Sequence, residues 1–176
     1  AGSSWQPDED LFIEYFNQHP EVKLIIAPHV IDENHLVEII NKLKRPYVRY
    51  TRADEKNVRK ADCLIIDCFG LLSSIYRYGE IAYIGGGFGV GIHNTLEAAV
   101  YGIPVIFGPK YQKFQEAIQL LEAKGAFSVK DYGELKTLLD RLLTDEIFLR
   151  EAGMNASHYV TSNAGATEKI LNMINF

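Results

Sequence analysis

The sequence predicts an α/β domain built on a Rossmann-like, doubly wound parallel sheet. Three observations carry that prediction. Short apolar bursts alternate along the chain with stretches of helical periodicity. The bursts are apolar throughout rather than at every second residue, as strands covered on both faces require. Glycines gather between one late burst and the helix after it, at the end of a strand where such sheets bind ligands.

Residues 22–27 (VKLIIA) read as a buried strand ending at Pro28, and 32–44 as a helix with Leu36, Ile39, Ile40 and Leu43 on one face. Residues 47–51 are a second strand and 63–67 (CLIID) a third, with a helix over 70–78. Residues 81–84 (IAYI) form a fourth strand that runs into the glycines. A helix over 94–101 stops at Gly102 and Pro104. Residues 105–107 are a fifth strand, followed by a helix over 112–124 and an edge strand at 126–129. Helices over 132–143, 146–159 and 166–174 complete the chain. Right-handed crossovers then bring the loops after Ala27, Asp67, Ile84 and Phe107 to one crevice. Residues 1–5 read as a loop whose strand precedes residue 1.

Length fits one domain: the chain has 176 residues, 47% of them hydrophobic, with no linker or repeat. A net charge of -5 gives no footprint for nucleic acid and argues against this segment gripping anionic lipid. Cys63 and Cys68 are too few for a disulfide framework and lack zinc spacing, so they read as reduced thiols. No apolar run approaches the roughly 20 residues that cross a bilayer, and the domain is expected to be soluble.

The most informative stretch is 85–99, GGGFGVGIHNTLEAA. Five glycines within seven residues let the backbone turn tightly and approach a ligand. A helix N-terminus after such a loop suits a phosphate. The glycines follow the fourth strand rather than the first, which argues against a dinucleotide. Two readings fit Asn94 and Glu97. They form a capping box, or Glu97 accepts from two ribose hydroxyls while Asn94 meets a phosphate. His29, directly after the first strand, and His93, among the glycines, are either structural or ligand-facing. Ser3 and Ser4 could meet a phosphate or cap the helix near Asp10. Lys110, after Gly108-Pro109, is the best-placed cation for a phosphate; the bland reading is a solvated loop lysine. Tyr47, Tyr76 and Tyr83 read as core or rim aromatics.

Taken together, G-S-S-W at the start, A-P-H at 27–29, G-G-G-F followed by G-x-H-N-x-L-E-A-A, and G-x-P-V-I-F-G-P resemble 3-deoxy-D-manno-octulosonic acid (Kdo) transferases. So do Gly125-Ala126-Phe127 and Asn163-Ala164-Gly165-Ala166. The resemblance implies one half of a GT-B fold, in which two Rossmann-like domains face across a cleft. It implies that residues 1–176 are the donor half, which binds CMP-Kdo. Pairing with an N-terminal domain is implied too; that domain takes a lipid A precursor, carries the catalytic base and the membrane anchor, and sits at the cytoplasmic face of the bacterial inner membrane. No cofactor or metal is implied. The expected substrate-binding residues are Ser3, Ser4, Pro28, His29, Gly70, Gly86, Gly87, Phe88, Gly89, His93, Asn94, Glu97 and Lys110. Where many members carry arginine after the proline of A-P, this chain has His29, which leaves Lys110 or His29 to neutralise the CMP phosphate. The other enzyme reading is a UDP-sugar transferase or a UDP-N-acetylglucosamine 2-epimerase, which share the late glycine loop and a ribose-binding glutamate. An interaction module without nucleotide would leave the five clustered glycines unexplained.

Overall fold

The computed structural model describes residues 1–165 and residue 171. The expected helix over 166–174 lies, residue 171 apart, outside them. Among the described residues, seven strands form one sheet: β1 (Gly2–Ser4), β2 (Leu24–Pro28), β3 (Tyr47–Arg49), β4 (Cys63–Ile65), β5 (Ala82–Ile84), β6 (Val105–Phe107) and β7 (Ala126–Ser128). All neighbours are parallel, in the order β3-β4-β2-β1-β5-β6-β7. The Rossmann-like doubly wound sheet is therefore as predicted, with β7 at an edge.

Residues of β5 and β6 alternate between two cores. Tyr83 and Ile106 face Phe12, Ile13 and Phe16 of α1 (Gln6–Gln18), Leu36 and Ile39 of α2 (Glu33–Lys42), and Leu135 and Leu142 of a helix over Tyr132–Thr144. Ala82, Ile84, Val105 and Phe107 face the other way. They pack on Ala98 and Ala99 of a short helix over Leu96–Ala99, on Ala117 and Leu120 of a helix over Gln115–Glu122, and on Ala156 of a helix over Glu146–Ser162. Three further short helical pieces, Glu55–Val58, Leu72–Ile75 and the 3-10 turn Tyr76–Tyr78, lie in connections. In chain order the helices are α1, α2, α3 (Glu55–Val58), α4 (Leu72–Ile75), α5 (Leu96–Ala99), α6 (Gln115–Glu122), α7 (Tyr132–Thr144) and α8 (Glu146–Ser162).

Several elements differ from expectation. The strand that was to precede residue 1 is Gly2–Ser4 itself, at the centre of the sheet. It has no apolar run to announce it. Its neighbours hold it instead: the amides of Ala27, His29 and Gly85 donate to the carbonyls of Ala1, Ser4 and Gly2. The strand expected over 47–51 turns after Arg49 into a 3-10 turn, Tyr50–Arg52, where the Thr51 amide donates to Asp67 Oδ1 at 2.8 Å. The helix expected over 70–78 breaks into two short pieces, and that over 94–101 shrinks to α5.

Winding reverses between β1 and β5: α1 leads from β1 to β2 on one side, while β5, β6 and β7 lie on the other. Open sheets bind ligands at this switch point, beyond the carboxyl ends of the strands. An apolar cavity of about 310 Å³ lined by Ala1, Leu24, Ile81 and Leu135 includes none of the expected site residues.

Candidate functional site

The two segments that end at the switch point are Ser4-Trp5, leading into α1, and the glycine loop from Gly85. They are joined by Asp8. This fully buried carboxylate accepts from the Gly86 amide at 2.9 Å, the Trp5 amide at 3.0 Å and Tyr83 Oη at 3.1 Å. The Trp5 bond is the half of a capping box in which a third-position acid reaches back to the N-cap amide. Burial raises the Asp8 carboxyl above its ordinary range, against the pull of these donors. Beside it Ser4, also fully buried, donates through Oγ to Glu9 Oε1 at 2.9 Å, and Glu9 Oε2 meets His35 Nε2 at 3.0 Å. Ser4 thus supports the crevice from beneath and spends its hydroxyl hydrogen within the protein. Ser3 holds a left-handed φ of 51°, unusual for a non-glycine residue.

Three rings form the wall. Trp5 stacks on His29 with centroids 4.6 Å apart, His29 stacks on His93 at 4.4 Å, and Trp5 Nε1 donates to His93 Nε2 at 3.3 Å. His29 follows Pro28, the last residue of β2, which pairs with Ser4. Burial and the neighbouring His29 hold the His93 proton affinity below the ordinary imidazole value.

The glycines do different jobs. Gly86 has φ +93°, and a Cβ there would lie 2.3 Å from the Gly91 carbonyl oxygen. Gly87 packs backbone to backbone on Gly108, where a Cβ would come within 2.6 Å of two main-chain atoms. Gly87 also accepts from the Lys110 amide at 2.9 Å. So the Gly108-Pro109 loop rides on the glycine loop, and Phe88 closes on Gly108. Gly89 has open space, its nearest neighbour at 3.6 Å. The Gly86 amide, expected to face a phosphate, is taken by Asp8. Among the described residues, the amides of Gly87, Phe88, Val90, Ile92, Asn94 and Thr95 have no acceptor.

Of the two readings of Asn94 and Glu97, the capping box is not formed. Asn94 Oδ1 accepts from the Leu96 amide at 3.0 Å, and its Nδ2 donates to Glu97 Oε1 at 3.2 Å. Glu97 therefore leaves the backbone uncapped and keeps acceptor capacity. The Lys110 ammonium is exposed and pairs with no described carboxylate. Gly70, at φ +87°, has nothing within 4 Å of a Cβ and is tied to none of the others.

Sequence reasoning passed over Trp5, Asp8, Glu9 and His35, and assigned Tyr83 no role. One signal was present: Asp8 lies three residues after Trp5, at the spacing of a helix start. Asp8-Glu9-Asp10 also has the Asp-x-Asp spacing of a metal motif, yet it is not built as one. Asp8 and Glu9 are engaged as above and Asp10 pairs with Lys42 Nζ at 2.7 Å. Among the described residues, no group of three or more His, Cys, Asp or Glu side chains is arranged to hold a metal ion, and no helix is long and apolar enough to cross a membrane.

No family model matches the chain. A 3-deoxy-D-manno-octulosonic acid transferase of Aquifex aeolicus (strain VF5) is 35% identical over 150 residues, 82% of this chain and 41% of that protein. The chain is a homologue of the Kdo transferases. A second, from Rickettsia prowazekii (strain Madrid E), is 28% identical over 170 residues, 92% of this chain and 36% of its own length. The chain thus spans about two fifths of these relatives. Among solved structures, the C-terminal CMP-Kdo binding domain of WaaA from Acinetobacter baumannii superposes with TM-score 0.76 at 21% identity, covering 90% of this chain and 86% of that one. The C-terminal domain of a glycosyl transferase group 1 family protein (LpcC) from Francisella tularensis gives 0.60 at 17% identity, over 91% and 80%. Both likenesses are of fold, and they agree with the Rossmann-like sheet predicted above and with the half of a GT-B fold that the resemblance implies.

Proposed function

We propose that residues 1–176 are the donor-binding half of a Kdo transferase and that CMP-Kdo binds at the switch point between β1 and β5. The observation that carries this reading is the joint construction of the Trp5-His29-His93 wall and the glycine loop there, in a chain homologous to Kdo transferases over most of its length. The donor's phosphodiester lies on the outer side of the loop, toward the amides of Phe88 and Asn94 and the Lys110 ammonium. It stays clear of Asp8 beneath, which would repel it. Glu97 accepts from ribose hydroxyls. Transfer forms a bond from Kdo C2 to an acceptor hydroxyl oxygen and breaks the bond from C2 to the phosphate oxygen, with inversion. CMP leaves with that oxygen and the electron pair. The acceptor's proton passes to a base on a partner N-terminal domain, which binds a lipid A precursor at the cytoplasmic face of the inner membrane. Leaving-group charge rests on N–H groups and a lysine, without a metal.

Calorimetric titration of this chain with CMP, UDP and GDP tests the reading. CMP is expected to bind and the other two to bind far more weakly. Preference for UDP would replace it with a UDP-sugar transferase or an epimerase of the UDP-N-acetylglucosamine 2-epimerase kind, and no binding of any of the three would reject a nucleotide site.

A further inference from the structure

We propose that Trp5 is a positioning residue: it holds His93 as the neutral tautomer with its hydrogen on Nδ1, so that Nδ1 donates to an anionic oxygen of the ligand at the glycine loop. The nature of the ligand rests on the donor reading above; the tautomer does not.

An indole N–H donates and cannot accept. Trp5 Nε1 lies 3.3 Å from His93 Nε2, so Nε2 must be the accepting, hydrogen-free nitrogen. The ring hydrogen of neutral His93 is then on Nδ1. Protonating Nε2 would set one N–H against another. Trp5 cannot easily turn away, because it is held at three places. Its amide donates to Asp8, its ring face lies on His29, and its ring edge bonds His93. The Cδ2 atom of His93 lies 3.2 Å from where a Gly86 Cβ would be, which puts Nδ1 on the opposite edge of the ring. Nδ1 has no partner among the described residues.

The charged and titratable groups around His93 are Asp8 on α1 and His29 after β2. His29 is stacked 4.4 Å away, so a second imidazolium there would be repelled. Burial acts in the same direction, and Asp8 acts against both. The ligand therefore meets an aligned neutral donor rather than a mobile cation. Such a donor recognises a phosphate or carboxylate oxygen over a wide pH range, and its Nε2 is closed to acid–base work.

The first test needs no ligand. Long-range proton–nitrogen NMR of this chain near pH 7, with His93 assigned by His93→Gln, should give the Nδ1–H pattern. Trp5→Phe keeps a ring face for His29 and removes the N–H. In that variant the Nε2–H form should appear and His93 should take up a proton at higher pH. An Nε2–H pattern in the parent chain, or an unchanged pattern in Trp5→Phe, overturns the proposal. Because the first criterion is read on the parent chain, an unfolded variant cannot shield it.

The second test uses cytidine 5′-(methyl phosphate), whose diester keeps one charge between about pH 5.5 and about pH 8. Trp5→Phe should bind it about threefold more weakly near pH 8 and gain affinity more steeply than the parent chain on acidification. Identical slopes overturn the role of Nδ1. A parent chain that shows the Nδ1–H pattern yet binds no ester overturns the donor reading and that role, and supports the tautomer lock alone.

Discussion

At the scale of single residues, Glu97 and Asp8 differ in what their carboxylates hold within the protein. Glu97 is half-buried and, among the described residues, bonds only the Asn94 side-chain amide, at 3.2 Å. Its replacement by alanine should weaken CMP binding by about 1–3 kcal/mol, the range for hydrogen bonds to a charged group. Melting temperature should hardly change, because no backbone amide loses its cap. Calorimetry and a melting curve on one preparation check both; an unchanged affinity rejects the ribose role. Asp8 should behave oppositely. Asp8→Ala strands the Gly86 and Trp5 amides and Tyr83 Oη in the interior, with an expected loss of about 3 kcal/mol or more in urea unfolding. Tyr83→Phe removes one donor and leaves the carboxylate two, so it should cost about 1 kcal/mol or less. The reverse order of the two losses would show that Asp8 is not the joint between α1 and the glycine loop.

Elements respond to contacts between them. Burial opposes charge on His35, but its bond to Glu9 prevails and raises its proton affinity above the ordinary imidazole value. A raised histidine contributes fully below about pH 6.5 and loses that contribution as pH climbs through the raised value. The tie between α1 and α2 should thus weaken as pH rises above about 6.5, and His35→Gln should flatten this slope of the melting temperature. The glycine loop makes a sharper contrast. Gly87→Ala drives a Cβ into the Gly108 backbone and should destabilise by about 2 kcal/mol or more, whereas Gly89→Ala should stay within about 0.5 kcal/mol. Equal melting temperatures for the two would disprove the backbone packing. Here sequence and structure part company. Both glycines looked alike as phosphate-binding positions, because a sequence does not show which loop a glycine packs on. Strands with continuous apolar runs, such as those containing Ile26, Ile65 and Ile84, were legible. β1 was not: Gly-Ser-Ser carries no hydrophobic signal, and its place comes from pairing with distant chain. The same holds for Trp5 and His93, 88 positions apart in sequence, whose bond only the fold creates.

For the whole molecule, this chain should fold alone and bind CMP yet transfer no Kdo, since the base and acceptor site are proposed to lie in a partner domain. An assay with CMP-Kdo and a lipid A precursor checks it; turnover clearly above the protein-free control would mean that a base is present here. The topology carries a further consequence. Residues 1–65 supply β1 to β4, and residues 82–128 supply β5 to β7, so each half of the sheet is contiguous in sequence. The halves meet along the three-residue β1, where Gly2 pairs with Ile84, and across helices where Tyr15 Oη donates to Asp140 Oδ1 at 2.9 Å. Each half can gather its own contacts early, and the join between residues about 80 apart closes late, because loop-closure entropy opposes it. Hydrogen exchange should then find the Gly85 and Gly86 amides opening well below the cost of global unfolding, ahead of those inside β2 and β4. The crevice lies on this seam, so an occupant touching both sides should slow exchange there most, acting as a clasp between two half-sheets.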